Sequence, residues 1–137
     1  MKKRVLILCT GNSCRSQMAE GVLKHYGADA VEAYSAGSEP SSVNPTAIRV
    51  MDEIGIDISG QRSKHLREFS KENFDYVITV CDNADRACPA FPGPVKRLHW
   101  PFPDPPHSRE VTGEVLAEFR RIRDLIHVQF KASALTG

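Results

Sequence analysis

Arg4-Val5-Leu6-Ile7-Leu8-Cys9-Thr10-Gly11-Asn12-Ser13-Cys14-Arg15-Ser16 joins an unbroken apolar run to a polar turn and then to a helical pattern. An apolar run of strand length bounded by a Thr-Gly-Asn turn is expected of a strand buried on both faces. Beyond the turn, Ala19, Val22, Leu23 and Tyr26 share one helical face, with Ser16 placed to cap the start and Gly27 to close the end. Val31 to Ser35 reads as a second strand and completes a βαβ unit of about 30 residues.

Working outward, Asn44-Pro45 predicts the start of a second helix, because proline fits the first turn and asparagine caps it. Ile48, Met51 and Ile54 form its stripe, and Gly55 ends it. Phe74 to Val80 predicts a third strand with Cys81 at its carboxyl end. Seven of the nine prolines fall between Pro89 and Pro106, which predicts loop around a short fourth strand at Val95 to His99. From about Glu110, Val115, Leu116, Phe119, Ile122, Leu125, Ile126 and Phe130 mark a long amphipathic helix. This alternation predicts a single α/β domain over residues 1–137, a three-layer sandwich in which helices flank a four-stranded parallel sheet. Ligands of such sheets bind beyond the carboxyl ends of the strands, where Cys9, Cys81 and Asp104 all fall.

Composition excludes several classes. The 137 residues are 41% hydrophobic and 26% charged, the balance of one compact domain. Eighteen basic residues against 17 acidic ones leave a net charge of +1, without the basic field of a nucleic-acid binder. No segment approaches the roughly 20 apolar residues of a membrane span, and the first apolar run stops too early for a secretory signal. A cytoplasmic, monomeric protein with reduced thiols is expected. The spacings Cys9 to Cys14 and Cys81 to Cys88 lack the close pairs of a zinc site, and His25, His65, His107 and His127 form no ligand pair, so no metal is expected. His99 and Trp100 read as packing residues.

The chemistry lies in the turn. A short loop feeding a helix N-terminus aims backbone N–H groups at one point and so forms a nest for a tetrahedral oxyanion. Thr10, Gly11, Asn12, Ser13, Cys14, Arg15 and Ser16 supply that nest, with Gly11 and Asn12 taking its unusual backbone angles. Arg15 can grip two oxygens with its planar fork, while the same field favours the Cys9 thiolate and Ser16 donates to it.

The Cys9 to Ser16 loop followed by Gln17-Met18-Ala19-Glu20 resembles the low-molecular-weight tyrosine phosphatases and the arsenate reductases that share their fold. The wider resemblance favours the thioredoxin-coupled reductases: Tyr34-Ser35-Ala36-Gly37, Val43-Asn44-Pro45, Asp57-Ile58-Ser59, Cys81 to Cys88-Pro89, and His99-Trp100 with Asp104-Pro105. The resemblance implies that Cys9 attacks arsenate, Cys81 resolves the adduct, and Cys88 takes the final disulfide. Reduced thioredoxin then supplies electrons, and no cofactor is tightly bound. It assigns Asp104 the general acid, gives Cys14 no relay role, and implies a weak phosphatase side activity.

In some relatives a potassium ion lies beneath the loop on residues matching Asn12, Glu20 and Ser35 plus a carboxylate. Lys64 stands where that carboxylate aligns, so either its ammonium replaces the cation beside Glu20 or it is an ordinary exposed lysine. Two other functions stay open: a tyrosine phosphatase, for which Pro106 and His107 after Asp104-Pro105 offer no aromatic wall, and a non-catalytic thiol redox sensor. If residues 81 to 88 are helical, their ends lie roughly 10 Å apart, and the segment must unwind before a disulfide can close.

Overall fold

The first apolar run forms β1 (Lys3–Cys9), hidden from Val5 onward, in a computed structural model that describes residues 2–107, 110–133 and 135. There follow α1 (Arg15–Tyr26), β2 (Val31–Gly37), α2 (Pro45–Asp52), a 3-10 turn (Leu66–Phe69), β3 (Tyr76–Thr79), α3 (Asp82–Ala87), β4 (Lys96–His99) and α4 (Gly113–Ala132). All strand pairs are parallel, in the order β2-β1-β3-β4, giving the helix-flanked four-stranded sheet that the alternation predicts. Register sets Cys9 opposite Gly37 and Leu8 opposite Thr79. The two central strands therefore end side by side, and the chain leaves both next to the same cleft.

Alternation along β2 separates the layers. Ser35 faces α1, where its hydroxyl donates to Glu20 at 2.6 Å. Tyr34 points the other way and meets Phe69 and Phe74 with ring centroids 5.5 and 6.0 Å apart; Phe91 extends this cluster. On the α1 side, α4 presses Phe119, Ile122, Ile126 and Phe130 into the core, each burial being worth about 1.5–3 kcal/mol.

Local chemistry explains the helix starts. Asn44 Oδ1 accepts from the N–H groups of Thr46 and Ala47 ahead of Pro45, as expected, and Thr112 Oγ1 accepts from Val115 at the head of α4. Several boundaries differ from expectation. α1 starts at Arg15 with Cys14 as its N-cap and no side-chain cap, because Ser16 is fully buried and accepts from Asn12 Nδ2. α2 buries Ala47, Val50 and Met51, while Ile48 and Ile54 flank the core. β3 covers only Tyr76–Thr79, Phe74 having left the strand for the aromatic cluster. In α4, Leu125 remains 44% exposed, so the periodic stripe there is wider than the buried seam.

Candidate active site

The turn after β1 is held from outside. The carbonyl of Thr10 accepts from the N–H of Glu39, that of Gly11 from Ser41, and that of Ser13 from Asn44, at 2.9 to 3.1 Å. Gln17 Nε2 takes the carbonyl of Asn12 at 3.0 Å. A trans peptide points its N–H opposite its C=O, so anchoring these carbonyls outward turns the N–H groups of Gly11, Asn12, Ser13 and Cys14 toward the loop centre. Asn12 alone among the described non-glycine residues has positive φ, 47°, while Gly11 does not, which corrects the expectation for Gly11. A glycine is needed instead at Gly37: a Cβ there would stand 2.3 Å from the Thr10 carbonyl oxygen.

A cleft of about 440 Å³ opens over this loop, lined by Cys9, Cys14, Arg15, Cys81, Asp104 and His107 among others. Cys9 is 5% exposed and Cys81 6%, whereas Cys88 is half-buried beyond α3. All four cysteines are free thiols. Arg15 is braced at the cleft wall: Nη1 donates to the Phe102 carbonyl at 2.9 Å, and Nη2 lies 3.3 Å from Asp104 Oδ1. The exposed Asp104 carboxylate also meets His107 Nε2 at 3.0 Å.

The Cys9 and Cys81 thiols both line the cleft and influence each other's ionisation. Interaction with Cys9 is the largest influence pulling the Cys81 thiol down to about 5; Thr10 Oγ1, the Ala84 N–H and Arg15 reinforce it, and burial opposes it. The same interaction, with burial next, pushes the Cys9 thiol up. The two thiols therefore titrate as a coupled pair. Burial pushes Cys14 and Cys88 up as well. Thr10 Oγ1 stands 3.4 Å from Cys81 Sγ and accepts from Asn83 Nδ2 at 2.9 Å, tying the loop to α3.

Beneath the loop, Asn12 Nδ2 donates to Ser16 Oγ at 2.8 Å and to Ser35 Oγ at 2.9 Å. The Ser16 hydroxyl is thus engaged below the loop and is not aimed at the Cys9 sulfur, correcting that expectation. Lys64 is buried, not an ordinary exposed lysine, with Nζ 3.8 Å from Glu20 Oε1 and donating to the Arg62 carbonyl at 2.8 Å. Burial lowers its ammonium pKa, and Glu20 opposes that effect. Asn12, Glu20, Ser35 and Lys64 are therefore brought together. Gln17 reaches the Arg62 carbonyl and Asn83 the Thr10 hydroxyl, contacts that no local pattern announces because each partner lies far away in sequence, whereas His107 meets Asp104 within the same loop.

The model of the low molecular weight phosphotyrosine protein phosphatase family matches residues 4–134. The chain belongs to that family. Among the family's relatives, the chain is 48% identical over 136 residues to an arsenate reductase of Shouchella clausii, covering 99% of this chain and 98% of that one. It is 47% identical over 135 residues to an arsenate reductase of Bacillus subtilis, covering 98% and 97%. A solved arsenate reductase in its oxidized state superposes with a TM-score of 0.78 at 35% identity, covering 94% of each chain. A thioredoxin-dependent arsenate reductase of Corynebacterium glutamicum superposes at 0.62 with 31% identity, covering 93% of this chain and 63% of that one.

Proposed function

We propose that this family member is a cytoplasmic, monomeric arsenate reductase that works through a relay of Cys9, Cys81 and Cys88 and is recycled by thioredoxin. The observation that carries this reading is the pairing of Cys9 with Cys81 beside Arg15, with a third thiol one short helix away. A phosphatase needs only the loop cysteine. Full-length identity to arsenate reductases supports the same choice.

Arsenate enters the loop, where the inward N–H groups and Arg15 hold its oxygens. Cys9 sulfur bonds to arsenic as an oxygen departs, protonated by Asp104, and that oxygen leaves as water. The Cys9 proton passes to Cys81 as Cys9 attacks, and Cys81 yields it to the departing arsenite in the next step. Cys81 then attacks the Cys9 sulfur, and the sulfur–arsenic bond breaks with its electron pair on arsenic, which leaves as arsenite. Cys88 next displaces Cys9 from Cys81, and thioredoxin's dithiol reduces the resulting disulfide. Each arsenate thus consumes two thiols and yields arsenite, one disulfide and water.

Lys64 occupies the position of a cation beneath the loop, its ammonium beside Glu20 giving the Asn12 and Ser35 network a fixed positive charge in place of potassium. The family's phosphatase chemistry persists as a weak side activity, limited because Pro106 and His107 rather than aromatic residues follow Asp104-Pro105. Arsenate-dependent NADPH oxidation in the presence of thioredoxin and its reductase tests the function. Turnover that continues after removal of thioredoxin, or its absence with the complete system, overturns it.

A further inference from the structure

The relay requires α3 to rearrange. Cys81 and Cys88 cap its two ends, and seven steps at about 1.5 Å per residue separate their α-carbons by roughly 10 Å, beyond the ~6.8 Å limit of a disulfide. A helix of six residues has no stability of its own in water, so contacts around it decide whether it stays wound. Most of it faces solvent, with Ala84 the residue it buries.

Besides the Asn83 bond to Thr10, two fastenings hold its first turn. Cys81 Sγ accepts from the Ala84 N–H at 3.4 Å, which is strongest while that sulfur bears negative charge. The second fastening comes from the neighbouring strand. His99, the last residue of β4, sets Nε2 2.9 Å from Asp82 Oδ1 and Nδ1 2.8 Å from Thr79 Oγ1. The buried Thr79 hydroxyl also lies 3.2 Å from Asp85 Oδ1, the alternative acceptor for its one proton. One imidazole thus bridges the end of β3 to the first residue of α3.

We propose that His99 is a positioning residue that clasps α3 through Asp82 and Thr79, and that release of this clasp governs how fast Cys88 reaches Cys81. This rests on the relay proposed above. Once Cys81 is bonded to Cys9 its sulfur is neutral and caps α3 weakly, so the His99 bridge and the Asn83 bond to Thr10 are the fastenings that remain. With the clasp open, α3 unwinds and the Cys88 thiolate attacks Cys81 Sγ. A Cys81–Cys88 bond forms, the Cys9–Cys81 bond breaks, and Cys9 leaves as thiolate without any further oxidant. The clasp leaves the first exchange, which needs no movement of α3, unaffected and delays the second.

The test uses His99→Ala, Asp82→Ala, their double variant and His99→Gln, which keeps a donor for Asp82. Amide exchange is followed in the reduced proteins. A single arsenate turnover is quenched with acid at intervals, and the disulfides are mapped. Both alanine variants should raise exchange in α3, and speed conversion of the Cys9–Cys81 bond to the Cys81–Cys88 bond, by about three- to tenfold. The rate of arsenite release in that first turnover should not change, His99→Gln should fall between, and the double variant should be no faster than either single one. Unchanged α3 exchange overturns the clasp. Faster exchange without faster conversion, or slowing of both steps together, overturns its kinetic role. If the wild-type protein never forms a Cys81–Cys88 bond, the relay fails and that role with it, while the exchange data still decide whether His99 holds the helix.

Discussion

Replacing Cys9 with Ala should move the ionisation of Cys81, and the size of the move follows from the coupling of the two thiols. Cys81 sits at about 5 against an ordinary 9.0, with the hydrogen bond from Cys9 as the largest cause. A hydrogen bond to an ionised group contributes about 1.5–3 kcal/mol, or about one to two pH units. The variant's midpoint should therefore rise to between about 6 and 7. Stability should follow. Between the folded and unfolded values the unfolded chain binds a proton that the folded chain has released, so stability rises with pH across this window. It is complete above the unfolded value and is lost as pH falls through about 5. At neutral pH the wild-type contribution is about 2–3 kcal/mol, shrinking to about 1 kcal/mol or less in the variant. Ultraviolet thiolate absorbance against pH gives the midpoints, and urea unfolding at several pH values gives the energies. A wild-type thiolate that appears only near the ordinary thiol value, or a midpoint that Cys9→Ala leaves in place, refutes the coupling of the two thiols.

Arg15→Lys should lower kcat/KM for arsenate by about two to three orders of magnitude, because an ammonium cannot hold two oxygens as the fork does; steady-state kinetics check this. Cys88→Ala should release a single arsenite per chain and stop with a Cys9–Cys81 disulfide, whereas Cys81→Ala should release little even once, as non-reducing peptide maps with counted arsenite will reveal. Lys64→Asp should make thermal stability depend on potassium but not on sodium, since a carboxylate beside Glu20 needs a cation between them. Gly37→Ala should destabilise the fold by about 1–3 kcal/mol and weaken phosphate binding, because its Cβ would press on the Thr10 carbonyl 2.3 Å away; urea unfolding and phosphate titration read both effects.

The sheet and the anion loop were legible because their signals are local. Val5 to Leu8 carries no polar residue, the turn that follows it is short, and Cys9 and Arg15 are fixed to its two ends. The existence of α2 could likewise be read from Asn44-Pro45, since a cap needs only its own neighbours. What escaped depends on tertiary geometry, some of it between partners far apart in sequence. The coupling of Cys9 with Cys81 arises from the register of β1 against β3, which no stretch of either strand encodes. Ser16 looked like a cap because serine favours that position, yet Asn12 below the loop claims its oxygen. Leu125 fits the periodic stripe of α4, but periodicity does not tell how wide a seam the sheet will cover.

The three sulfurs differ in depth: Cys9 and Cys81 lie almost wholly inside, while Cys88 stands partly in the open at the far end of α3. A thiol that reacts with a small anion gains from shelter, whereas one that reacts with another protein cannot be sheltered at all. Under the relay proposed here, the oxidising equivalent is carried outward from the first environment to the second. The cleft can then remain fitted to a molecule of a few atoms, and the outer sulfur can meet a macromolecular reductant without that partner ever approaching Cys9.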